Sequence, residues 1–342
     1  MANADVPQLD ELRAQVLEGL RQERKWLPCR LLYDERGSEL FERITALEEY
    51  YPTRTEHAIM TVAAPAMGRI IDSGCVLIEY GSGSSTKTCA LLDHLPAPAA
   101  YLPIDVSRAQ LEAAAATVRA RYPTLEVAPL CADYNRPVSL PPAAARGPRV
   151  AYFPGSTVGN FNPPEAVRFL TGIARTVGPG GCLVIGVDLP KDRALLEAAY
   201  DDRQGVTAAF NLNVLRHLNR ILEGDFDLES FAHRSCYDSA RGRIEMHLVS
   251  GREQVVTVAG ERFRFGVGET ILTEVSYKFT LDGFALLAGI SGFDVAAVWT
   301  DRRRMFSVQL LRARPGSANG VAPVDVHGPL RRGRLRTSPA PG

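Results

Sequence analysis

The sequence predicts an α/β fold, with an open, mostly parallel sheet covered by helices on both faces and a second, smaller α+β unit. Three observations carry this expectation. Short apolar runs alternate with longer amphipathic ones between residues 75 and 188, the rhythm of parallel strands joined by crossover helices. A glycine-rich turn follows the first run directly, in "LIEYGSGSSTKT" at 77–88. Two closing runs, "DVAAVWT" and "MFSVQLLRA", are separated only by "DRRR", so the sheet should finish on an antiparallel pair.

In chain order, residues 8–24 read as an amphipathic helix. The stretch 33–60, "YDERGSELFERITALEEYYPTRTEHAIM", reads as a turn, a helix, an aromatic break and a second helix. Strands are expected at 75–80, 101–105, 126–131, 149–153 and 182–188, with helices at 86–95, 107–121 and 163–176. After Pro190 the rhythm changes. Helical patterns cover 191–203 and 206–222, followed by strand-like segments near 242–250, 254–258 and 261–265. "DGFALLAGISGF" then gives a last helix before the closing strands. The chain divides on this pattern into a core, 57–190 with 280–313, and a second domain from 1–56 with 191–279. The tail 314–342 is rich in Gly, Pro and Arg without an apolar period and is expected to be disordered. Its "RRGRLR" is a weak anionic-surface binder at most.

The 39 basic and 39 acidic residues cancel, so no global field argues for nucleic acid. Arg314 to Gly342 holds five arginines and one aspartate, which leaves the preceding body with 34 basic against 38 acidic residues. The six cysteines, at 29, 75, 89, 131, 182 and 236, show no CxxC pair and no metal-type spacing. Free thiols of this kind suit a reducing cytoplasm. The N-terminus is charged rather than signal-like, and no apolar run approaches the roughly 20 residues of a membrane span. The expectation is a soluble cytoplasmic monomer, without metal, membrane or nucleic-acid partner.

In an open parallel sheet, ligands bind beyond the carboxyl ends of the strands. The first strand ends in Glu79 and the Gly81/Gly83 turn. A phosphate loop would need Gly-x4-Gly-Lys-Ser/Thr, and a dinucleotide fingerprint would need glycine where Thr86 stands. The turn is Rossmann-like without the features that select a pyrophosphate. Asp105, 24 residues after Gly81, stands where an acid can take both hydroxyls of a ribose. Asp133 in "CADYN" is placed to accept from an adenine amine, with Tyr134 against the ring. Lys87, early in the following helix, can reach a bound carboxylate. The fourth strand ends in "FPGSTVGN" at 153–160, where backbone and the Asn160 amide can meet a substrate amine. Asn162, Pro163, Pro164 and Glu165 read as an N-cap and first helical turn. No HExxH pattern and no Gly-x-Ser-x-Gly elbow is present.

Taken together, "YDERGSELFERIT", "EYYPTRTE", "EYGSGSSTKT", "PIDVS", "CADY", "GSTVGNF", "AYDDRQGVTAAFNLNVL", "RIEMHL" and "LTEVSYKF" occur in this order over roughly residues 26–312. This series resembles the histidine-specific Nα-methyltransferase family of ergothioneine biosynthesis. The resemblance implies a Rossmann-like, seven-stranded class I methyltransferase core with a second α+β substrate-binding domain. It implies S-adenosyl-L-methionine as cofactor and L-histidine as substrate, trimethylated on its α-amine to the betaine hercynine. Gly81, Lys87, Asp105, Asp133 and Tyr134 would hold the cofactor. Tyr50, Asn160 and Tyr200 would bind the carboxylate and amine, with Gly155 beside them. Glu274 and Ser276 would take the imidazole, and Met246 would line its pocket. Tyr33 and Phe41 would face the amine, with Tyr33 and Asn160 the residues nearest the chemistry. The sequence departs from the family pattern at Tyr80, Tyr134 and Pro154, and none of these removes a polar group. The alternative is N-methylation of another amino acid, such as the prenylated tryptophan of related fungal enzymes.

Overall fold

The computed structural model describes residues 6–82, 86–134, 136 and 138–315. Gly83 of the glycine turn and the tail from residue 316 onward, with "RRGRLR", lie outside the described residues.

Four parallel strands form the centre of the main sheet: Ala100–Asp105, Val76–Tyr80, Arg149–Phe153 and Cys182–Asp188, neighbours in that order. Their apolar runs are nearly continuous because both faces are covered, and Val76–Tyr80 is buried at every position. Outside Ala100–Asp105 lie two short pieces, Glu126–Val127 and Leu130–Cys131, both parallel to it. The single strand expected at 126–131 is interrupted at Pro129, which cannot donate to the ladder. At the other side Phe306–Ala313 pairs antiparallel with Cys182–Asp188, and Phe293–Thr300 pairs antiparallel with it at the edge. Counting the interrupted edge as one strand gives seven, in the order 3-2-1-4-5-7-6 by chain position. The antiparallel finish is the one expected from "DVAAVWT" and "MFSVQLLRA".

A second sheet is assembled from distant stretches. Thr270–Tyr277 lies between antiparallel Arg243–Ser250 and a two-residue parallel strand, Lys25–Trp26, while Phe231–Asp238 forms the far edge. Neither Lys25–Trp26 nor Phe231–Asp238 is expected from the sequence. The first is too short for a period, and the second mixes His, Arg, Ser and Cys along a half-exposed edge. The register of Thr270–Tyr277 against Arg243–Ser250 shifts by one residue between Leu272 and Glu274, so Thr273 is a bulge. The helix expected at 191–203 is shorter, Arg193–Ala198; its start is set by Asp192, which accepts from Ala194 N–H at 2.9 Å.

The apolar interior is divided. One cluster draws on residues 16–51 and 196–271, with Leu31, Leu32, Phe210, Val214 and Ile271 at its centre. The clusters on the two faces of the main sheet draw on 59–187 and 284–313. Helix Tyr51–Ile70 runs from the first into the others, so the boundary drawn at 56/57 falls within one continuous helix.

Candidate active site

The ends of the parallel strands create the first half of the site. Gly81 leaves Val76–Tyr80 with φ +78°, and its N–H donates to Ile104 O at 2.8 Å. A side chain there would be strained, and the nearest atom to its Cβ would be the Tyr134 hydroxyl at 3.8 Å. The backbone at Gly81 is therefore open to a ligand, with Tyr134 at its rim. Tyr134 itself rests on the edges of Tyr80, Phe153 and Phe169, at centroid distances of 6.2, 6.1 and 6.0 Å. Asp105 accepts from Ser107 N–H at 2.9 Å, and burial raises its carboxyl above the usual range. Asp133 faces Arg30 at 3.7 Å and Arg136 at 3.8 Å. The buried Asp105 carboxylate, the Tyr134 ring and the uncovered Gly81 fit an adenosyl group.

Lys87 is held by a residue that the motif analysis did not single out. Its ammonium is ion-paired with Glu56, and the buried Glu56 carboxylate also accepts from Gly155 N–H at 2.9 Å. Glu56, on helix Tyr51–Ile70, thus ties the glycine-turn helix to the fourth-strand turn. An ammonium carries three protons, so Lys87 can serve Glu56 and a bound carboxylate together.

The second half is a cavity of about 40 Å³. Tyr33, Phe41, Tyr50, Gly155, Asn160, Tyr200, Met246, Glu274 and Ser276, all candidates from the sequence, line it together with Phe210. Tyr33 meets Phe41 and Phe210 edge-on, both at 5.5 Å, Phe41 meets Tyr50 at 6.1 Å, and Tyr50 meets Tyr200 at 6.2 Å. Burial pushes the phenols of Tyr33, Tyr50 and Tyr200 well above their ordinary range. They are neutral donors. None is a resting base, so a phenol is a poor acceptor for a proton shed by an amine.

Thr270–Tyr277 supplies the polar wall. Past the bulge its register is regular, so Glu274 and Ser276 share one face. Glu274 is buried, and its Oε2 has no hydrogen-bond partner among the described residues. Burial pushes its carboxyl up to about 7, although Lys278 pulls the other way. Behind this wall sits a buried charge cluster. Asp188 pairs with Lys191 at 2.6 Å and Lys278 at 2.9 Å, and accepts from the Tyr51 hydroxyl at 2.6 Å. Burial works to raise the Asp188 carboxyl, but the two ammonium groups outweigh it and hold it below the usual range. Burial also pulls Lys191 down to about 8. Lys278 Nζ donates further to Ser276 Oγ at 2.8 Å and Tyr200 Oη at 3.1 Å. Sequence reasoning missed Glu56, Asp188, Lys191, Phe210 and Lys278. The one signal was a charge ending an apolar run, as in "GVDLP" and "VSYKF".

Among the described residues one group has metal-type composition, Cys236, Glu245 and His247. Its Glu245 is already ion-paired with Arg243 and hydrogen-bonded to His247 at 3.0 Å. No helix of the described residues is long and apolar enough to cross a membrane.

A family model described as histidine-specific methyltransferase, SAM-dependent, matches residues 12–313. The histidine N-alpha-methyltransferase of Mycobacterium tuberculosis is 40% identical over 307 residues, 87% of this chain and 94% of that protein. Its counterpart from Mycolicibacterium smegmatis is also 40% identical, over 88% of this chain and 94% of that protein. Ergothioneine biosynthesis protein 1 of Neurospora crassa is 35% identical over 80% of this chain, which corresponds to 32% of that longer protein. The chain belongs to the family of histidine-specific, S-adenosylmethionine-dependent methyltransferases.

Proposed function

We propose that this protein transfers three methyl groups in succession to the α-amine of L-histidine, giving hercynine, in the cytoplasm and as a step of ergothioneine biosynthesis. The observation that carries this reading is the Glu274–Ser276 wall. It faces a cavity whose other sides are aromatic and whose rim, at Gly155, adjoins the Lys87 helix. In this reading 57–190 with 280–313 binds the cofactor, and 1–56 with 191–279 binds the amino acid.

Gly81, Lys87, Asp105, Asp133 and Tyr134 would hold S-adenosylmethionine, which when bound supplies an electrophilic methyl carbon. The protein's own work is then positioning and exclusion of water. Glu274 accepts from an imidazole N–H, and Ser276 serves the second ring nitrogen. Tyr50, held neutral by burial, donates to the substrate carboxylate, Tyr200 stands beside it with its own proton given to Ser276 Oγ, and Asn160 meets the amine. An α-ammonium must lose a proton before it can attack, and its pKa lies near 8 or above. The neutral Tyr33 cannot accept that proton, so water does. As methyls accumulate the product becomes a fixed cation, which the faces of Tyr33, Phe41 and Phe210 stabilise by about 0.5–2 kcal/mol. Phenolic donors leave the amine free to turn between rounds, as a clamping arginine would not.

Mass spectrometry of the purified enzyme with S-adenosylmethionine and each amino acid tests the reading. Histidine should gain one, two and finally three methyl groups. Unmodified histidine beside methylation of another amino acid overturns the substrate assignment.

A further inference from the structure

Lys278 lies outside the cavity lining, yet its ammonium decides what the lining can offer. It is ion-paired with Asp188 Oδ2 at 2.9 Å and donates to Ser276 Oγ at 2.8 Å and Tyr200 Oη at 3.1 Å. The triangle is closed by the Tyr200 hydroxyl donating to Ser276 Oγ at 2.8 Å. That direction is the chemically favoured one, since a phenol is the more acidic hydroxyl and the better donor. Ser276 Oγ has two lone pairs, and both are now occupied, one by Lys278 and one by Tyr200. Its own proton has no place left in the triangle. It must point into the cavity that Ser276 lines.

We propose that Lys278 is a positioning residue that makes Ser276 an obligate donor, so that the cavity requires a ring with one N–H facing Glu274 and one acceptor nitrogen facing Ser276. This rests on the reading of the cavity as an imidazole site and deepens it. Glu274, with its unpartnered Oε2, is the acceptor half of the wall; Ser276, through Lys278, is the donor half. A ring that keeps the N–H but has carbon in place of the acceptor nitrogen strands the Ser276 proton in a dry pocket. Without the Lys278 ammonium the constraint disappears. Ser276 can then donate to Tyr200 Oη, which Lys278 no longer occupies.

The test compares histidine with its two pyrrolyl analogues, β-(pyrrol-2-yl)alanine and β-(pyrrol-3-yl)alanine, each of which keeps one of the ring N–H positions. In the parent enzyme kcat/KM for histidine should exceed that of the better analogue by about 10–100-fold, the scale of a site whose buried polar group is left unpaired. In Lys278→Met the ratio should collapse to about threefold or less, because no proton remains stranded. Lys278→Arg, which keeps donors at the same place, should restore discrimination. In a Ser276→Ala background, adding Lys278→Met should leave the ratio where Ser276→Ala alone puts it, a coupling that general loosening would not produce. Should the Met variant fail to fold, Lys278→Leu, which is equally without a donor, carries the same expectation. Histidine turnover with an undiminished ratio in the Lys278 variant overturns the role of Lys278 alone. A parent enzyme that leaves histidine unmethylated overturns the functional reading and this inference with it.

Discussion

Glu79 and Glu274 stand on the two sides of the site and begin from the same physics. Each is buried within a strand, and in each burial pushes the carboxyl up to about 7. Their surroundings differ. Glu79 is saturated, since the Thr88 hydroxyl reaches its oxygens at 2.7 and 2.8 Å and the Tyr101 hydroxyl donates to one of them. Glu274 keeps an oxygen without a partner among the described residues, aimed at a cavity. Buried polar groups are nearly always hydrogen-bonded, so the saturated glutamate holds the glycine-turn helix to its strand, and the unsaturated one awaits a donor from outside. The same residue type serves the fold in one place and the ligand in the other.

The largest effect should come from Glu79→Leu. It strands two hydroxyl donors in the core, and stability should fall by about 3 kcal/mol, read as a lower urea midpoint at unchanged slope. A variant as stable as the parent would remove the distinction between the two glutamates.

Glu274→Leu should cost little stability and much catalysis. An imidazole N–H left unpaired there costs about 1–3 kcal/mol, or roughly five- to 150-fold in kcat/KM for histidine. Cofactor affinity should stay at the parental level, and an apolar ring such as that of phenylalanine should be accepted better than before. Parental efficiency toward histidine would mean that Glu274 does not read the ring.

The smallest effect is on the pH dependence of stability. A carboxyl whose folded pKa is raised from 4.5 to about 7 stabilises the fold while protonated. That stability is fully present below the unfolded pKa and is lost as pH rises through about 7. Glu274→Gln, which never ionises, should gain on the parent between pH 5 and pH 8 by on the order of 1 kcal/mol in urea unfolding. Parallel pH profiles for the two proteins would show that solvent already reaches this carboxyl.

Much of this arrangement was legible in the sequence because the ligand end of a parallel sheet is read from strand ends. Gly81, Asp105, Tyr134 and Asn160 each follow a strand in predictable order, and the aromatic and polar candidates from 33 to 276 converge on one cavity. What stayed hidden depends on tertiary folding. Asp188, Lys191 and Lys278 look like ordinary boundary charges until residues far apart in the chain meet around Tyr51 and Tyr200. Glu56 reads as part of an amphipathic helix, and nothing local points it at Lys87 and Gly155. Phe231–Asp238 hid its period of two because its outer face is polar and its inner face carries Ser and His.

The bulge at Thr273 has a consequence for how such a wall can be inherited. Before it, Ile271 faces the core; after it, Glu274 and Ser276 face inward instead, so the strand changes phase from odd to even. Thr273 is pinned at the switch, donating to Asn211 Oδ1 at 2.6 Å and Met246 O at 3.0 Å. The chain therefore stores two kinds of instruction in one strand. Which chemical group is recognised is written in the letters at 274 and 276 and can drift by point substitution. Whether those letters face the cavity at all is written in the count of residues, and lineages of this enzyme can exchange the former freely only while the latter is conserved.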